Sequence, residues 1–366
     1  MKTSEYMQWA KTRSQARFNL ATSGIMSVPA AEFPRQDEPI ALTGPGGYGF
    51  APLQERLAQH QGVPRECVVA ATGTSMANHL AMAAVLAPGD EVLIEEPAYG
   101  PLLDVAHYLG AAVRRFARTF ESDFAVDPHA LASAITEKTR LIVLTNLHNP
   151  SGALLPAEIL RQIGAIAQAR GVRVLVDEAY LEMTFDPAAP FAFRIGQELS
   201  AGGENPFIVT NSLTKVYGLS GLRCGWILAA PELARRIWLL NDLFGANAAH
   251  PAEQLSVRAL DQLAKFRTRA QRLLATNRPL LQSWLTSRPE LEFFASPAGT
   301  VVFPRLRHGE VNAFCKLLRE KYQTTVVPGR FFELPQHFRI GVGGAAAELR
   351  AGLDRVSGAL DEFCAR

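Results

Sequence analysis

The sequence predicts an α/β fold in which a largely parallel β-sheet lies between two layers of helices. Between residues 67 and 176, short apolar segments alternate with amphipathic segments, which is the order that a parallel sheet requires. Two further apolar runs of strand length follow at 207–210 and 226–230. Beyond Pro231 the pattern changes to long helices and then to a short strand–helix–strand segment, which indicates a second and smaller unit.

Each element is predicted from the spacing of its apolar residues and from the glycines and prolines that bound it. The strands of the first unit are predicted at 67–71, 91–94, 112–116, 141–145, 172–176, 207–210 and 226–230. Its helices are predicted at 52–61, 76–86, 100–109, 128–135 and 156–170. The preceding chain is predicted to contain a short amphipathic helix at 1–16, a turn at 22–24 and irregular chain at 29–49. For the second unit we expect helices at 259–285, 311–321 and 345–363 and short strands at 301–303, 325–327 and 338–342.

Composition and charge narrow the classes of function. The chain has 366 residues, of which 48% are hydrophobic, so it is long enough for a sizeable core and two domains. Its formal net charge is +2 and its basic residues form no run, so nucleic acid is not an expected partner. Residues 1–11 are charged and no apolar run is long enough to span a bilayer, so we expect a cytoplasmic protein with no membrane partner.

The spacing of the cysteines and the residues around the glycine-rich segment 44–49 argue against a zinc site and a nucleotide-binding loop. The four cysteines lie far apart in the sequence, which favours reduced packing residues over a disulfide or a zinc site, and no metal is expected. Residues 44–49 are rich in glycine, but no Gly-Lys-Ser/Thr follows them and no strand precedes them. A nucleotide-binding P-loop is therefore not predicted.

A polar segment separates the last two predicted strands of the sheet, and it carries Ser212, Lys215 and Arg223. A lysine amine attacks a carbonyl only when neutral, so its ordinary pKa of about 10.4 has to be lowered by burial or by a nearby cation such as Arg223. The guanidinium of Arg223 and the hydroxyl of Ser212 are also suited to hold a phosphate. A solvated loop lysine is the ordinary alternative for a lone Lys, but this combination indicates an amine beside an anion site.

Ser212-x-x-Lys215, followed by Gly221-Leu222-Arg223-x-Gly225, resembles the lysine signature of class I/II aminotransferases. These are pyridoxal-phosphate enzymes of fold type I. The resemblance implies that Lys215 is the catalytic residue and forms an aldimine with pyridoxal 5′-phosphate, and that Ser212 and Arg223 bind the cofactor phosphate.

The same resemblance sharpens the expected fold and its domains. It implies a large domain with a mostly parallel, seven-stranded sheet between helices, and a smaller α+β domain. With the change in composition, we expect an N-terminal arm at 1–45 that packs with the small domain. The large cofactor-binding domain is expected at 46–255, and the small domain at 256–366.

The start of the helix after the first sheet strand is a second candidate anion site. Gly73, Thr74 and Ser75 begin that helix, and the N-terminal N–H groups of a helix attract anions. An ordinary helix cap is an equally good interpretation of this segment alone. The resemblance to the aminotransferases favours a second phosphate-binding segment.

Four more residues follow predicted strands, where ligands of open α/β sheets bind. The resemblance implies that Tyr99 stacks on the cofactor ring and that Asn149 and Tyr180 bind its 3′ oxygen. Asp177 is implied to keep the ring nitrogen protonated, since opposite charges about 4 Å apart interact by roughly 4 kcal/mol. The ordinary alternatives are helix packing for Tyr99, a turn at Asn149-Pro150 and a helix cap at Asp177.

The substrate residues are implied by family position. Arg339, in the predicted strand 338–342, is suited to bind an α-carboxylate through two parallel hydrogen bonds, and Gly24 and Asn149 are implied to bind substrate with it. Gly44 stands where the family often has a tyrosine that reaches the partner's phosphate, and Tyr48 is the candidate replacement. Residues predicted to line the pocket from family position alone are Phe18, Ile25, Tyr48 and Phe331.

The expected activity is transfer of an amino group between an L-amino acid and a 2-oxo acid, 2-oxoglutarate or pyruvate, by a homodimer. Freed Lys215 is expected to act as the general base. A lyase, decarboxylase or cyclase of the same fold is the alternative, because such enzymes share the cofactor residues. A non-catalytic regulator of this fold is not favoured, since residues 1–45 lack a basic helix–turn–helix pattern.

Overall fold

The computed structural model describes residues 3–35, 39–200 and 204–365. In chain order, the strands are β1 (Phe18–Asn19), β2 (Val68–Thr72), β3 (Glu91–Glu96), β4 (Ala112–Ala117), β5 (Thr139–Thr145), β6 (Arg173–Asp177), β7 (Phe207–Ser212), β8 (Cys224–Leu228), β9 (Leu291–Glu292), β10 (Val301–Val302), β11 (Arg305–Leu306), β12 (Thr324–Thr325), β13 (Val327–Pro328) and β14 (Phe338–Gly341). The helices are α1 (Glu5–Thr12), α2 (Ala51–Gln61), α3 (Gly73–Val85), α4 (Gly100–Tyr108), α5 (Pro128–Ala134), α6 (Ala157–Arg170), α7 (Ala192–Leu199), α8 (Pro231–Asn241), α9 (His250–Asp261), α10 (Leu263–Thr286), α11 (Val311–Tyr322) and α12 (Ala346–Cys364).

The central element is a seven-stranded sheet with the strand order β2-β8-β7-β6-β5-β3-β4. Strand β8 is antiparallel to both of its neighbours, and the other neighbouring pairs are parallel. The mostly parallel, seven-stranded sheet predicted from the sequence is therefore confirmed. The carboxyl ends of β2, β5, β6 and β7 lie at the same edge of this sheet.

Alternate residues of each central strand face opposite helical layers, because side chains of a strand alternate between its two faces. In β5, Leu141 and Val143 belong to the core cluster that includes α3, α4 and α8. Ile142 and Leu144 belong to the cluster that includes α2, α6 and α7. All four side chains are fully buried, and full burial of one such side chain stabilises the fold by about 1.5–3 kcal/mol.

The C-terminal part packs α10, α11 and α12 against several short strand pairs. Strand β14 lies between β10 and β13 and is antiparallel to both. The N-terminal strand β1 pairs in parallel with β12, with Phe18 opposite Thr324. The boundaries expected at residues 45 and 255 stay a prediction.

The structure differs from the sequence prediction at several elements. Helix α1 is shorter than the predicted 1–16, of which residues 1 and 2 lie outside the described residues. Helix α3 begins at Gly73 and not at residue 76, so the candidate anion-binding residues form its first turn. Helix α7 was not predicted, since its eight residues follow a proline-containing segment without a long apolar period. None of the helices in the described part of the chain combines the length and apolar character of a membrane span.

Candidate active site

A cavity of about 220 Å³ lies at the sheet edge where β2, β5, β6 and β7 end. The strand register brings these ends level, because Asp177 at the end of β6 is opposite Thr145 on β5 and Thr210 on β7. Of the residues predicted to bind the cofactor, those that line the cavity are Thr74, Ser75, Tyr99, Asn149, Asp177, Tyr180, Ser212, Lys215 and Arg223. Segments far apart in the sequence thus meet in one small space.

Lys215 lies in the turn between β7 and β8, and its side chain is half-buried. Its Nζ donates a hydrogen bond to Ser23 Oγ at 3.0 Å, and Tyr180 donates its hydroxyl to the same oxygen at 2.8 Å. Gly24 lies against the lysine, since a Cβ at position 24 would come within 3.2 Å of Lys215 Cα. The amine is therefore held at a defined place by a hydroxyl pair and by close backbone contact.

The first turn of α3 and Arg223 form the cationic end of the cavity. Gly73 has a φ of +74°, and a Cβ there would lie 2.4 Å from Arg223 Nη2, so only glycine lets the guanidinium approach. Arg223 Nη2 donates to the backbone carbonyl of Thr72 at 3.3 Å. Thr74 Oγ1 is buried and has no hydrogen-bond partner among the described residues. A phosphate fits this end, because it would accept from that hydroxyl, from the helix N–H groups and from the guanidinium.

Asp177 forms the anionic end. Its carboxylate accepts from Asn78 Nδ2 at 2.8 Å and from the backbone N–H of Ala179 at 3.0 Å, and Thr210 in turn fixes Asn78 through a 2.6 Å hydrogen bond. Burial raises the pKa of Asp177, although the hydrogen bonds from Asn78 and Ala179 and the charge of Lys215 oppose this. A protonated ring nitrogen would supply the cation that this buried carboxylate lacks.

Asn149 and Tyr99 lie on the remaining sides of the cavity. The backbone N–H of Asn149 donates to Thr145 Oγ1 at 3.1 Å, and its Oδ1 accepts from Arg339. Tyr99 precedes α4, and burial raises the pKa of its phenol well above the ordinary value. Both residues line the cavity together with Asp177 and the first turn of α3.

A buried ion pair supports the loop that carries Asn149. Arg118 Nη1 and Glu95 Oε2 are 2.6 Å apart, and both side chains are fully buried. Glu95 Oε1 also accepts from the backbone N–H and the hydroxyl of Thr145, at 2.8 and 2.6 Å. Since Thr145 in turn binds Asn149, the ion pair fixes the position of a residue in the cavity.

Arg339 lies on β14 and is fully buried. It donates from Nη1 to Asn149 Oδ1 at 2.8 Å, and from Nη2 to the Ala21 carbonyl at 3.0 Å and the Tyr6 hydroxyl at 3.2 Å. These three acceptors are neutral. A buried guanidinium with neutral partners is suited to bind an anionic ligand.

The residues of the site that were not predicted from the sequence include Tyr6, Ser23 and Asn78. Ser23 directly precedes Gly24, which was predicted, and Asn78 lies one helical turn after Ser75 on the same face. Helical spacing and adjacency were therefore available signals for these two. Tyr6 meets Arg339 across 333 positions of sequence, and no local pattern indicates that contact.

The residues predicted for the substrate pocket lie in different places. Phe18 is buried beside Arg355 in the core of the C-terminal part, away from the cavity. The Tyr48 hydroxyl donates to Asp242 of the same chain at 3.3 Å. Ile25 is bonded through its backbone N–H to the Lys215 carbonyl, and Phe331 packs against Tyr6.

The fold and the site can be compared with known proteins. The model of the family described as "Aminotransferase class I and II" matches residues 29–356. The capreomycidine synthase of Streptomyces vinaceus is 30% identical, with 95% of this chain and 91% of that protein covered. The aspartate aminotransferase of Rhizobium meliloti (strain 1021) is 28% identical, with 85% of this chain and 79% of that protein covered. The crystal structure of a PLP-dependent aminotransferase from Streptococcus suis 89-1591 has a TM-score of 0.89 at 23% identity over 99% of both chains, which shows the same fold.

Proposed function

Because the chain belongs to the class I and II aminotransferases, which transfer amino groups with pyridoxal 5′-phosphate, we propose that Lys215 holds this cofactor and that the amino group passes from an L-amino acid to 2-oxoglutarate or pyruvate. Membership of the family confirms the aminotransferase activity and the cofactor that the lysine segment predicted. The assignment of roles to individual residues is proposed from the site itself.

These assignments rest on one observation: the Lys215 amine shares a cavity with a group that binds anions, Arg223, and a group that binds cations, Asp177. Lys215 lines the same cavity as the buried carboxylate of Asp177 and the guanidinium of Arg223. Arg223, the Thr74 hydroxyl and the first turn of α3 bind the phosphate. Asp177 holds a proton on the ring nitrogen at the other end.

When bound, the cofactor supplies an aldehyde that condenses with amines and a cationic ring that withdraws electrons from the substrate α-carbon. The chain supplies orientation and proton transfer. Asn149 and Tyr180 would hold the cofactor ring through its 3′ oxygen, and Tyr99 would exclude water from one side of it. Lys215 Nζ takes and returns the α-proton, and Ser23 Oγ, 3.0 Å away, holds that amine in place while it is free.

Replacement of the lysine tests the proposal. We expect the purified protein to bind pyridoxal phosphate with a change in absorbance, and to form glutamate from 2-oxoglutarate and an L-amino acid donor. Lys215→Ala should still bind the cofactor, without a borohydride-reducible attachment and without glutamate formation. The matched control is Lys265→Ala. Lys265 lies on α10 and donates a hydrogen bond to the backbone carbonyl of Glu32, and its replacement should leave the protein like the wild type. Retained transfer by Lys215→Ala would refute the assignment.

A second candidate reaction is a lyase, decarboxylase or cyclase reaction at the same site. It is favoured by one comparison, since the relative with 30% identity over 95% of this chain is named a synthase. The same cofactor residues serve either reaction, and the bond broken at the α-carbon distinguishes them. Incubation of an L-amino acid panel with 2-oxoglutarate decides, because glutamate forms only in transfer, and mass spectrometry of the donor detects a cyclised or shortened product.

We also propose that the protein is a homodimer in the cytoplasm. Two large apolar side chains are exposed to solvent: Leu42 is 85% exposed and Leu243 is 78% exposed. Leu42 lines a cavity of about 530 Å³ that reaches Thr72, the residue before the first turn of α3, and Leu243 lies in sequence between Asn241 and Gly245, which line the same cavity. A second copy that covers this face would bury these side chains, as stable interfaces do.

Analytical ultracentrifugation measures the mass of the protein in solution, and we expect the mass of a dimer. The double variant Leu42→Glu/Leu243→Glu should give a monomer with weakened cofactor binding. Lys138→Glu, at an exposed position just before the amino end of β5, should leave the dimer intact. A monomeric wild type would contradict the homodimer.

A further inference from the structure

Helix α1 contacts both the cavity and Arg339, through Met7 and Tyr6 respectively. Met7 lines the cavity, and its Sδ accepts a hydrogen bond from the Tyr99 hydroxyl at 3.7 Å. The Ser4 side chain caps the helix at the N–H of Met7, and Glu5 forms an ion pair with Arg330. The helix is therefore attached at its first turn to the groups that surround the site.

Aromatic contacts fix the ring of Tyr6. Its centroid lies 5.5 Å from that of Tyr99, 5.7 Å from Phe331 and 5.9 Å from Phe332. The contacts with Tyr99 and Phe331 are edge-to-face, an arrangement that aromatic pairs favour. The ring is held from several directions, so the hydroxyl has a defined place.

That place is beside the guanidinium of Arg339. The Tyr6 oxygen accepts from Arg339 Nη2 at 3.2 Å. Arg339 Nε is buried and has no hydrogen-bond partner within the part of the chain that the structure describes. The guanidinium thus combines neutral acceptors with a free donor, and a buried cation of this kind attracts a carboxylate.

A phenol oxygen that accepts from a guanidinium keeps its own O–H free to donate. A carboxylate bound at Arg339 can therefore accept a hydrogen bond from Tyr6 as well. Burial would raise the pKa of Tyr6, but the charges of Arg339 and Lys215 outweigh it and lower the pKa. The same two charges strengthen the phenol as a hydrogen-bond donor.

We propose that Tyr6 is a substrate-binding residue and that its hydroxyl, together with Arg339, binds the α-carboxylate of the substrate. The inference rests on the proposed function, because it takes an amino acid as the substrate. It gives the N-terminal helix a role in specificity, since an amine without an α-carboxylate gains nothing from Tyr6.

Two matched amines test the inference on the enzyme saturated with cofactor. The first, 2-aminoisobutyrate, carries the α-carboxylate and has no α-hydrogen, so it binds without completing transfer. The second, isopropylamine, has the same carbon skeleton without the carboxylate. The absorbance of the bound cofactor gives the dissociation constant of each amine for the wild type and for Tyr6→Phe, which keeps the ring and removes only the hydroxyl.

We expect Tyr6→Phe to weaken binding of 2-aminoisobutyrate by about ten- to a hundredfold, the factor for one hydrogen bond to a charged group. Binding of isopropylamine should change by less than about twofold, because it does not use that hydrogen bond. Arg339→Lys should show the same selective loss. Tyr322→Phe removes a hydroxyl that binds Gly358 and Glu362, far from the site, and serves as the matched control with wild-type constants.

Equal constants for Tyr6→Phe and the wild type would overturn the inference and leave the proposed function intact. Tighter binding of 2-aminoisobutyrate by Tyr6→Phe would also overturn it, since the hydroxyl would then be blocking Arg339. Equal weakening of both amines would mean that Tyr6 only supports the site, which contradicts carboxylate binding. A wild type that responds neither to 2-aminoisobutyrate nor to any of the common L-amino acids would overturn the proposed function, and this inference with it.

Discussion

The carboxyl group of Glu178 is buried immediately beside Asp177 and gives the structure a pH-dependent stability. Its Oε1 accepts from the backbone N–H of Ala192 at 2.8 Å, and its Oε2 has no partner among the described residues. Burial raises the pKa of Glu178 to about 8, with the neighbouring carboxylates of Glu182 and Asp177 adding to the rise. The folded protein therefore keeps this carboxyl neutral under conditions in which an unfolded chain ionises it.

The sign of the pH dependence follows from that difference. Between the ordinary pKa of 4.5 and the folded value of about 8, the folded state holds one more proton than the unfolded state. The free energy of unfolding consequently falls as the pH rises through this window and becomes constant above it. The whole window corresponds to roughly 5 kcal/mol, an upper bound because the interior relaxes around a charge.

Glu178→Gln removes the titration and keeps the acceptor for Ala192. We expect the variant to match the wild type near pH 4.5 and to become progressively more stable than it up to about pH 8. With an unfolding entropy of roughly 2 cal/mol/K per residue, the full effect raises the midpoint of thermal unfolding by about 6 °C. Calorimetry of both proteins between about pH 5 and pH 8.5, with saturating cofactor, measures the difference.

The matched control is Glu137→Gln, which makes the same substitution at an exposed position. Its difference from the wild type at pH 8 should be much smaller than that of Glu178→Gln. If the Glu178→Gln difference were the same at pH 5 and pH 8, the burial argument for this carboxyl would be wrong.

Three other predictions concern the cavity and its support. Thr74→Val removes a buried hydroxyl that has no hydrogen-bond partner among the described residues, so we expect about tenfold weaker binding of pyridoxal phosphate in a fluorescence titration and unchanged thermal stability. Gly73→Ala places a methyl group 2.4 Å from Arg223 Nη2 at a φ of +74°, and it should abolish measurable cofactor binding, with retained affinity as the contrary result. Arg118→Met leaves Glu95 as an unpaired buried charge and should lower the free energy of unfolding by about 3–5 kcal/mol. Adding Glu95→Gln should recover part of that loss in the same denaturation assay.

Most of the sheet could be predicted because its central strands β5, β6, β7 and β8 are almost entirely buried. Residues 141–144 form a continuous apolar run and residues 172–176 are apolar except for Arg173. Both predicted segments, 141–145 and 172–176, became strands within one residue or two of the predicted bounds. The polar residues after these runs reach the cavity for the same reason, since parallel strands end at one edge. Local sequence is sufficient here because burial on both faces leaves a strong pattern.

The start of α3 and the contacts of α1 could not be predicted from local sequence patterns. Glycine, threonine and serine at 73–75 resemble a loop in sequence, yet they form the first turn of a helix whose start is fixed by packing against β8. Helix α1 has no fully buried residue, and its amphipathic pattern gives no indication of what it covers. Contacts of this kind depend on tertiary packing between distant segments.

Two charged groups of the site, Arg339 and Asp177, have neutral hydrogen-bond partners among the described residues. Arg339 donates to an amide oxygen, a backbone carbonyl and a phenol. Asp177 accepts from an amide and a backbone N–H. Each of these buried charges opposes folding until a ligand of opposite charge reaches it. On the proposed roles, a cationic ring nitrogen would neutralise Asp177 and a substrate carboxylate would neutralise Arg339, so cofactor and substrate would compensate these two charges in separate steps. Asn149 lines the cavity and also binds Arg339, so we expect each of these steps to affect the other through Asn149.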